Sequence, residues 1–223
     1  MAHKKAVILL SGGLDSTTTL YFAKARGYEC FCILFDYGQR HKKELKAAVK
    51  IAKLNKCKYT IVKLALPWSR SALTDRRIKV PKNTKIIGSK IPVTYVPARN
   101  TIFLSFAASY AESIGAKKIF IGANALDYSG YPDCRPKYIK ACEKAVNLGT
   151  KSGVTGKKLA IETPLISLTK AGIIELGKRL NVPYDITWSC YQGGSKPCGV
   201  CESCIIRAKG FKEAGVYKNN SKL

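Results

Sequence analysis

The apolar run Ala6-Val-Ile-Leu-Leu10 breaks at once into Ser11-Gly-Gly-Leu-Asp-Ser16. A buried strand that turns sharply into a helix leaves several backbone N–H groups without an intrachain partner. Together with the positive end of the helix dipole they form an anion cradle. Gly12 and Gly13 let the backbone approach a phosphate closely, and Ser11, Ser16 and Thr17 can add hydroxyl donors. Asp15 is the odd member, because a carboxylate beside phosphate is repulsive unless a cation bridges them, which points to Mg²⁺ with a polyphosphate. The turn lacks the Gly-Lys-Ser/Thr ending of a Walker A loop. A strand-to-helix turn with a capping Ser is the plainer explanation. Strand, six-residue motif and helix in sequence favour the phosphate cradle.

Apolar and helical segments alternate along most of the chain. Strands are expected at 6–10, 29–35, 58–64, 118–122 and 159–163, and helices at 15–26, 40–55, 100–114, 136–148 and 168–180. Residues 66–97, rich in Pro, Ser and Lys, read as an excursion across the sheet edge. This order implies an α/β fold with a doubly wound, Rossmann-like parallel sheet whose ligands bind beyond the carboxyl ends of the strands. The 223 residues divide into an α/β domain over 1–180 and a small helical, metal-binding region over 181–223, both in one compact unit. No apolar stretch approaches a membrane-spanning length and no signal-peptide pattern is present, so a cytoplasmic protein with no membrane partner is expected.

Cys190, Cys198, Cys201 and Cys204 have the spacing of a Cys₄ metal knuckle, with Gly193, Gly194, Pro197 and Gly199 supplying turns. Structural Zn²⁺ is the leading occupant, an iron–sulfur cluster the second, a redox dithiol the third. Cys30, Cys32, Cys57 and Cys142 are expected to pack in the core. The net charge of +25 is spread over helices such as 40–56, whose lysines read as a solvated face opposite Leu45, Val49 and Ala52. That charge attracts anionic substrates through a field that salt screens.

Four further polar stretches follow strand ends or open helices. Asp36-Tyr-Gly-Gln-Arg-His41 follows the second strand. Val96-Pro-Ala-Arg-Asn100 precedes a helix, where Asn100 can cap and Arg99 can face an anion. Gly122–Arg135 looks like a small-molecule recognition loop, and Lys170, after Thr163-Pro-Leu, is placed to reach pyrophosphate. Each has a dull explanation as a cap, turn or surface charge; their shared position raises them.

The turn resembles the SGGxDS loop of ATP pyrophosphatases. The whole pattern (SGGLDSTT at 11–18, FDYGQRH at 35–41, VPARN at 96–100, GANALDYSGYPDCR at 122–135, TPL with Lys170, TWSCY and PCGVCESC from 187 to 204) resembles the family of 7-cyano-7-deazaguanine synthases. One departure is Ala98, where the family pattern has Gly. The resemblance implies a homodimeric ligase using ATP, Mg²⁺ and ammonia. The carboxylate of 7-carboxy-7-deazaguanine attacks the α-phosphate of ATP, ammonia displaces AMP to give an amide, and a second ATP drives loss of water to the nitrile. It implies ATP contacts along Leu10, Ser11, Gly12, Gly13, Leu14, Asp15, Ser16, Thr17, Thr18, Thr19 and Leu20, and catalytic roles for Asp15, Ser16, Arg99 and Lys170. The base would be held by Asn100, Asp127, Tyr128, Tyr131, Asp133 and Arg135. The alternative is a tRNA-modifying relative performing thiolation or lysidine-type ligation. A nucleic-acid partner is not expected, since the chain carries no added RNA-binding domain. A zinc-ribbon interaction module and an amidotransferase are weaker alternatives; the chain has no glutaminase domain.

Overall fold

Alternating side chains of the central strands bury two opposite faces, and that forces helices onto both sides of the sheet. The computed structural model describes residues 4–83, 91–124 and 130–216. In it, β1 (Lys4–Leu9), β2 (Tyr28–Asp36), β3 (Lys58–Lys63), β4 (Lys118–Phe120) and β5 (Ala160–Glu162) form one sheet in the order β3-β2-β1-β4-β5. All neighbouring strands pair in parallel, as expected of a doubly wound sheet. The helices are α1 (Leu14–Ala25), α2 (Lys43–Leu54), α3 (Arg99–Ile114), α4 (Pro136–Gly149), the single turn α5 (Lys151–Val154), α6 (Lys170–Arg179) and α7 (Glu202–Glu213).

Ala6, Ile8 and Leu10 pack with Leu20 and Ala23 of α1 and Ala48, Ile51 and Ala52 of α2. Val7, Leu9, Ile33 and Phe35 face the other way, onto Leu104, Ala107 and Ala108 of α3 and Ile139 of α4. Each fully buried Leu or Ile in these layers contributes about 1.5–3 kcal/mol. Cys30 and Cys32 lie in the first layer with Cys57 packed against it, and Cys142 packs on the second, as expected of core thiols. Among the described residues, no helix is long and apolar enough to cross a membrane.

The chain runs one way from β1 to β3 and the other way from β1 to β5, so strand order reverses between β1 and β4. A crevice must open there beyond the strand ends. Beneath it, α6 and α7 join Leu14 through Leu165, Ile173, Ile174 and Phe211. The excursion after β3 does more than cross an edge. Ala72 and Val80 pack on three of the clustered cysteines, and Asn83 N–H donates to Val200 O at 2.8 Å.

Ala98 sits at the N-cap of α3 with φ 52° and ψ 26°, a left-handed conformation that an L side chain adopts at a cost and glycine adopts freely. The departure from the family pattern therefore falls where glycine is the better residue. Ala98→Gly is expected to raise stability by about 0.5–1 kcal/mol, less whatever glycine adds to unfolded-chain entropy. Thermal and urea melts check this, and a lower melting point would contradict it.

Candidate active site

A cavity of about 250 Å³ occupies the crevice at the strand reversal. Its floor is the turn after β1. Gly12 has φ +85°, and a methyl group built on it would lie 2.5 Å from Ala48 N and closer still to Glu44 O, so only glycine lets the turn seat on the first turns of α2. Trp188 N–H donates to Gly12 O at 2.9 Å from the other side. Gly122, just past β4, passes so close to α1 that an added methyl would meet Ser16 N at 2.9 Å. Ser16 Oγ lies 2.9 Å from Ser11 Oγ and accepts from Ser11 N–H at 3.2 Å, which draws the turn into a ring.

Of the stretch expected to contact nucleotide, Leu10, Ser11, Gly13, Leu14, Asp15 and Ser16 line the cavity. Thr17, Thr18, Thr19 and Leu20 do not: all four are fully buried. Their hydroxyls donate to the carbonyls of Gly13, Leu14 and Asp15, one helical turn back, and Leu20 belongs to the core. Buried on every side of α1, with Thr18 also paired to the Tyr184 hydroxyl, these four lie behind the cavity wall and not on it.

Lys170, the first residue of α6, reaches the turn. Its Nζ donates to Asp15 Oδ1 at 2.7 Å and Oδ2 at 2.8 Å, with the lysine side chain 7% and the aspartate 23% exposed. Gly210 of α7 makes room for the lysine stem. Two residues expected to hold different ligand groups are therefore each other's partners in this state.

Arg99 and Asn100 open α3 at the cavity wall, as Tyr131 and Cys134 do from the loop after β4. Asn100 does not cap α3. The N-cap is Ala98, and the cap comes from afar: Asp133 Oδ2 accepts from Asn100 N–H at 3.0 Å, while Asn100 Nδ2 donates to Asp133 O at 3.1 Å. Asp133 is buried and its other oxygen, Oδ1, has no hydrogen-bond partner among the described residues. It positions α3 rather than lining the cavity. Tyr131 hydroxyl pairs with Thr94 Oγ1 at 2.7 Å. Arg135 is exposed, away from the cavity, at the start of α4. Asp127 and Tyr128 lie outside the described residues.

Several lining residues were not singled out by their sequence context. Glu44 lies in the first turn of α2, and Phe103 stacks on Phe35 with ring centroids 3.9 Å apart. Arg207 of α7 is anchored through Thr187 Oγ1, Ser189 Oγ and Tyr184 O. Burial raises the Glu44 carboxyl to about 7, against the opposing pull of Arg99. Burial, with help from Lys43 and Arg40, lowers the pKa of His41, whose Nε2 lies 2.9 Å from Cys190 O and whose Nδ1 accepts from Lys43 N–H.

The four sulfurs of Cys190, Cys198, Cys201 and Cys204 lie within 4.8 Å of one another. Gln192 and Cys198 N–H donate to the Cys190 sulfur, and Cys201 N–H to that of Cys198. A hydrogen bond from Cys204 is the main reason Cys201 falls to about 5, whereas burial raises Cys190 and the bond to Cys201 raises Cys204. The donor set fits a tetrahedral metal ion. The knuckle adjoins the phosphate turn through Trp188, whose Nε1 donates to Cys190 O at 2.8 Å.

The fold and the loop define a nucleotide-binding α/β protein of the phosphate-loop kind. A model of the queuosine biosynthesis protein QueC matches residues 5–215, and the chain belongs to that family. It is 58% identical over 214 residues to a protein of Acetivibrio thermocellus named 7-cyano-7-deazaguanine synthase, covering 96% of this chain and 95% of that one. A relative of the same name from Thermoplasma volcanium is 58% identical, covering 95% and 88%. One from Trichodesmium erythraeum is 55% identical, covering 95% and 97%. Among solved structures, the fold is similar to NMN synthetase of Francisella tularensis, with a TM-score of 0.51, 14% identity and coverage of 98% of this chain and 90% of that one. It is also similar to a 4-thiouridine synthetase solved with RNA and ATP, with a TM-score of 0.50, 20% identity and coverage of 95% and 50%. These two likenesses concern fold alone.

The Asp15–Lys170 pair gives a test of how the turn is held. Removing one member leaves the other, largely buried, without its partner and costs up to about 3 kcal/mol, whereas removing both costs less than the sum. Asp15→Ala, Lys170→Met and the double variant, compared by urea melts, are expected to show a coupling of about 1–3 kcal/mol. Additive losses would contradict a close pair.

Proposed function

We propose that this chain is a 7-cyano-7-deazaguanine synthase, an ATP-dependent ligase that joins 7-carboxy-7-deazaguanine to ammonia and dehydrates the amide to the nitrile. The observation that carries the chemistry is a phosphate cradle, a buried lysine–aspartate pair and Arg99 gathered in one cavity. The substrate follows from the named relatives and the motifs shared with them.

The backbone N–H groups of the turn, with Ser11 and Ser16, bind the phosphates of ATP. Asp15 would hold Mg²⁺ with the polyphosphate, and the ion supplies charge neutralisation when bound. Lys170 and Arg99 stabilise the negative charge that grows as pyrophosphate departs. Holding the acid carboxylate against the α-phosphate removes the entropic cost of their meeting. Asn100 and Tyr131 border the base, and Asp127 and Tyr128 complete its recognition. A net charge of +25 draws both anionic substrates inward. Zn²⁺ in the Cys₄ knuckle is structural, because four protein ligands leave no open position. The 1–180 and 181–223 parts act as one unit, since the knuckle braces the turn. The enzyme acts in the cytoplasm as a homodimer, for which Trp68, Val93 and Phe106, left exposed, offer apolar surface.

Mass spectrometry of a reaction with ATP, ammonium and 7-carboxy-7-deazaguanine tests the reading. Nitrile and AMP are expected. Formation of ADP, or an amide that goes no further, would contradict it.

A further inference from the structure

The cavity is built for anions, and one of its substrates is a cation. Arg40, Arg99, Lys170 and Arg207 all line it, which suits ATP and a carboxylate. Ammonia at neutral pH is almost entirely ammonium, whose nitrogen has no free electron pair. To draw on this pool the enzyme must attract a cation into a basic cavity and strip a proton from it.

Among the described lining residues only Asp15 and Glu44 carry carboxyl groups. Asp15 is held at both oxygens by Lys170. The Glu44 carboxyl makes no hydrogen bond or ion pair among the described residues; Arg99 acts on it from beyond ion-pair distance, and Tyr37 lies near. The imidazole that lines the cavity is committed, and a guanidinium is no base. His41 has both ring nitrogens engaged, by Cys190 O and Lys43 N–H. Arg40 is turned away onto the carbonyls of Ala72, Asp75 and Ile78. The main chain of Glu44 meets the turn at Gly12, and its carboxyl lines the cavity within electrostatic reach of Arg99 and Tyr37.

Resting on the synthase reading above, we propose that Glu44 is the general base of the amide-forming step: its carboxylate binds ammonium and takes one proton from it. The ammonia so released attacks the acyl carbon of the acyl-adenylate. A C–N bond forms, the C–O bond to AMP breaks, and AMP leaves with that electron pair. The new nitrogen sheds a second proton to water, leaving the neutral amide. A carboxyl raised to about 7 is suited to this exchange at neutral pH.

Glu44→Gln separates the steps. Because a raised carboxyl binds its proton more tightly in the folded state, ionised Glu44 works against folding at pH 8, and the variant is expected to melt no lower than wild type there. ATP–pyrophosphate exchange dependent on 7-carboxy-7-deazaguanine, which needs no ammonia, should stay within about threefold of wild type. Amide formation from ammonium at pH 7 should fall about a hundredfold or more. Hydroxylamine, already neutral at that pH, should restore the rate by giving the hydroxamate. The supplied carboxamide should still become nitrile. The wild-type ammonium rate should level off above pH 7, whereas that of the variant should keep climbing with the fraction of free ammonia. Loss of exchange together with amide formation would assign Glu44 to substrate binding and overturn the proposal. So would an unchanged ammonium rate, or a hydroxylamine rate that falls equally. Absence of exchange in the wild-type enzyme would instead overturn the synthase reading itself.

Discussion

Everything in the cavity is referenced to the seat of the turn after β1 on the amino end of α2. The contact is made at Gly12, whose left-handed backbone brings it against Glu44 O and Ala48 N. β1 is the central strand, so the turn emerges where the strand order reverses. Trp188 then clamps Gly12 O from outside, and its indole N–H reaches the carbonyl of Cys190. The cysteine cluster, distant in sequence, thereby braces the turn after β1. The excursion after β3 packs on that knuckle in turn, which makes an apparent loop part of the support.

Charge is handled by enclosure. Lys170 is held between α6 and α7, its stem beneath Gly210 and its ammonium on Asp15. A buried ion pair of this sort costs desolvation that only good geometry offsets. Here it ties the first turn of α6 to that of α1. Arg99 is surrounded by Tyr37, Tyr131, Asp133 and Cys134. α3 in turn is fixed by Asp133, whose carboxylate stands in for the side-chain cap that Ala98 cannot provide.

Apart from α5 and the bounds of α7, the elements were legible because each is announced locally. Gly27 and Gly115 follow helix ends, and Thr169 caps α6 through Gly172 N–H, trimming the expected 168–180 helix to Lys170–Arg179. The continuous apolar run of β2 marks a strand buried on both faces. What did not show in the sequence is nonlocal. The Asp15–Lys170 pair spans 155 residues. The cap on α3 comes from another loop. Glu44 is flanked by Lys42, Lys43 and Lys46, so its neighbourhood reads as a solvated face; only the arrival of Arg99 and the turn encloses it. Thr17 reads as a hydroxyl donor for phosphate and the resemblance implies ATP contacts at Thr18 and Thr19, yet mid-helix threonines bond back to the preceding turn.

Calorimetric ATP binding to Gly12→Ala tests most directly whether the seat of the turn on α2 creates the cradle. A methyl group at a left-handed position facing two backbone atoms forces the turn off its helix. The account predicts a chain that still melts cooperatively but binds ATP at least about tenfold more weakly, a loss of some 1.4 kcal/mol or more. Wild-type affinity in that variant would mean that the turn does not depend on its contact with α2.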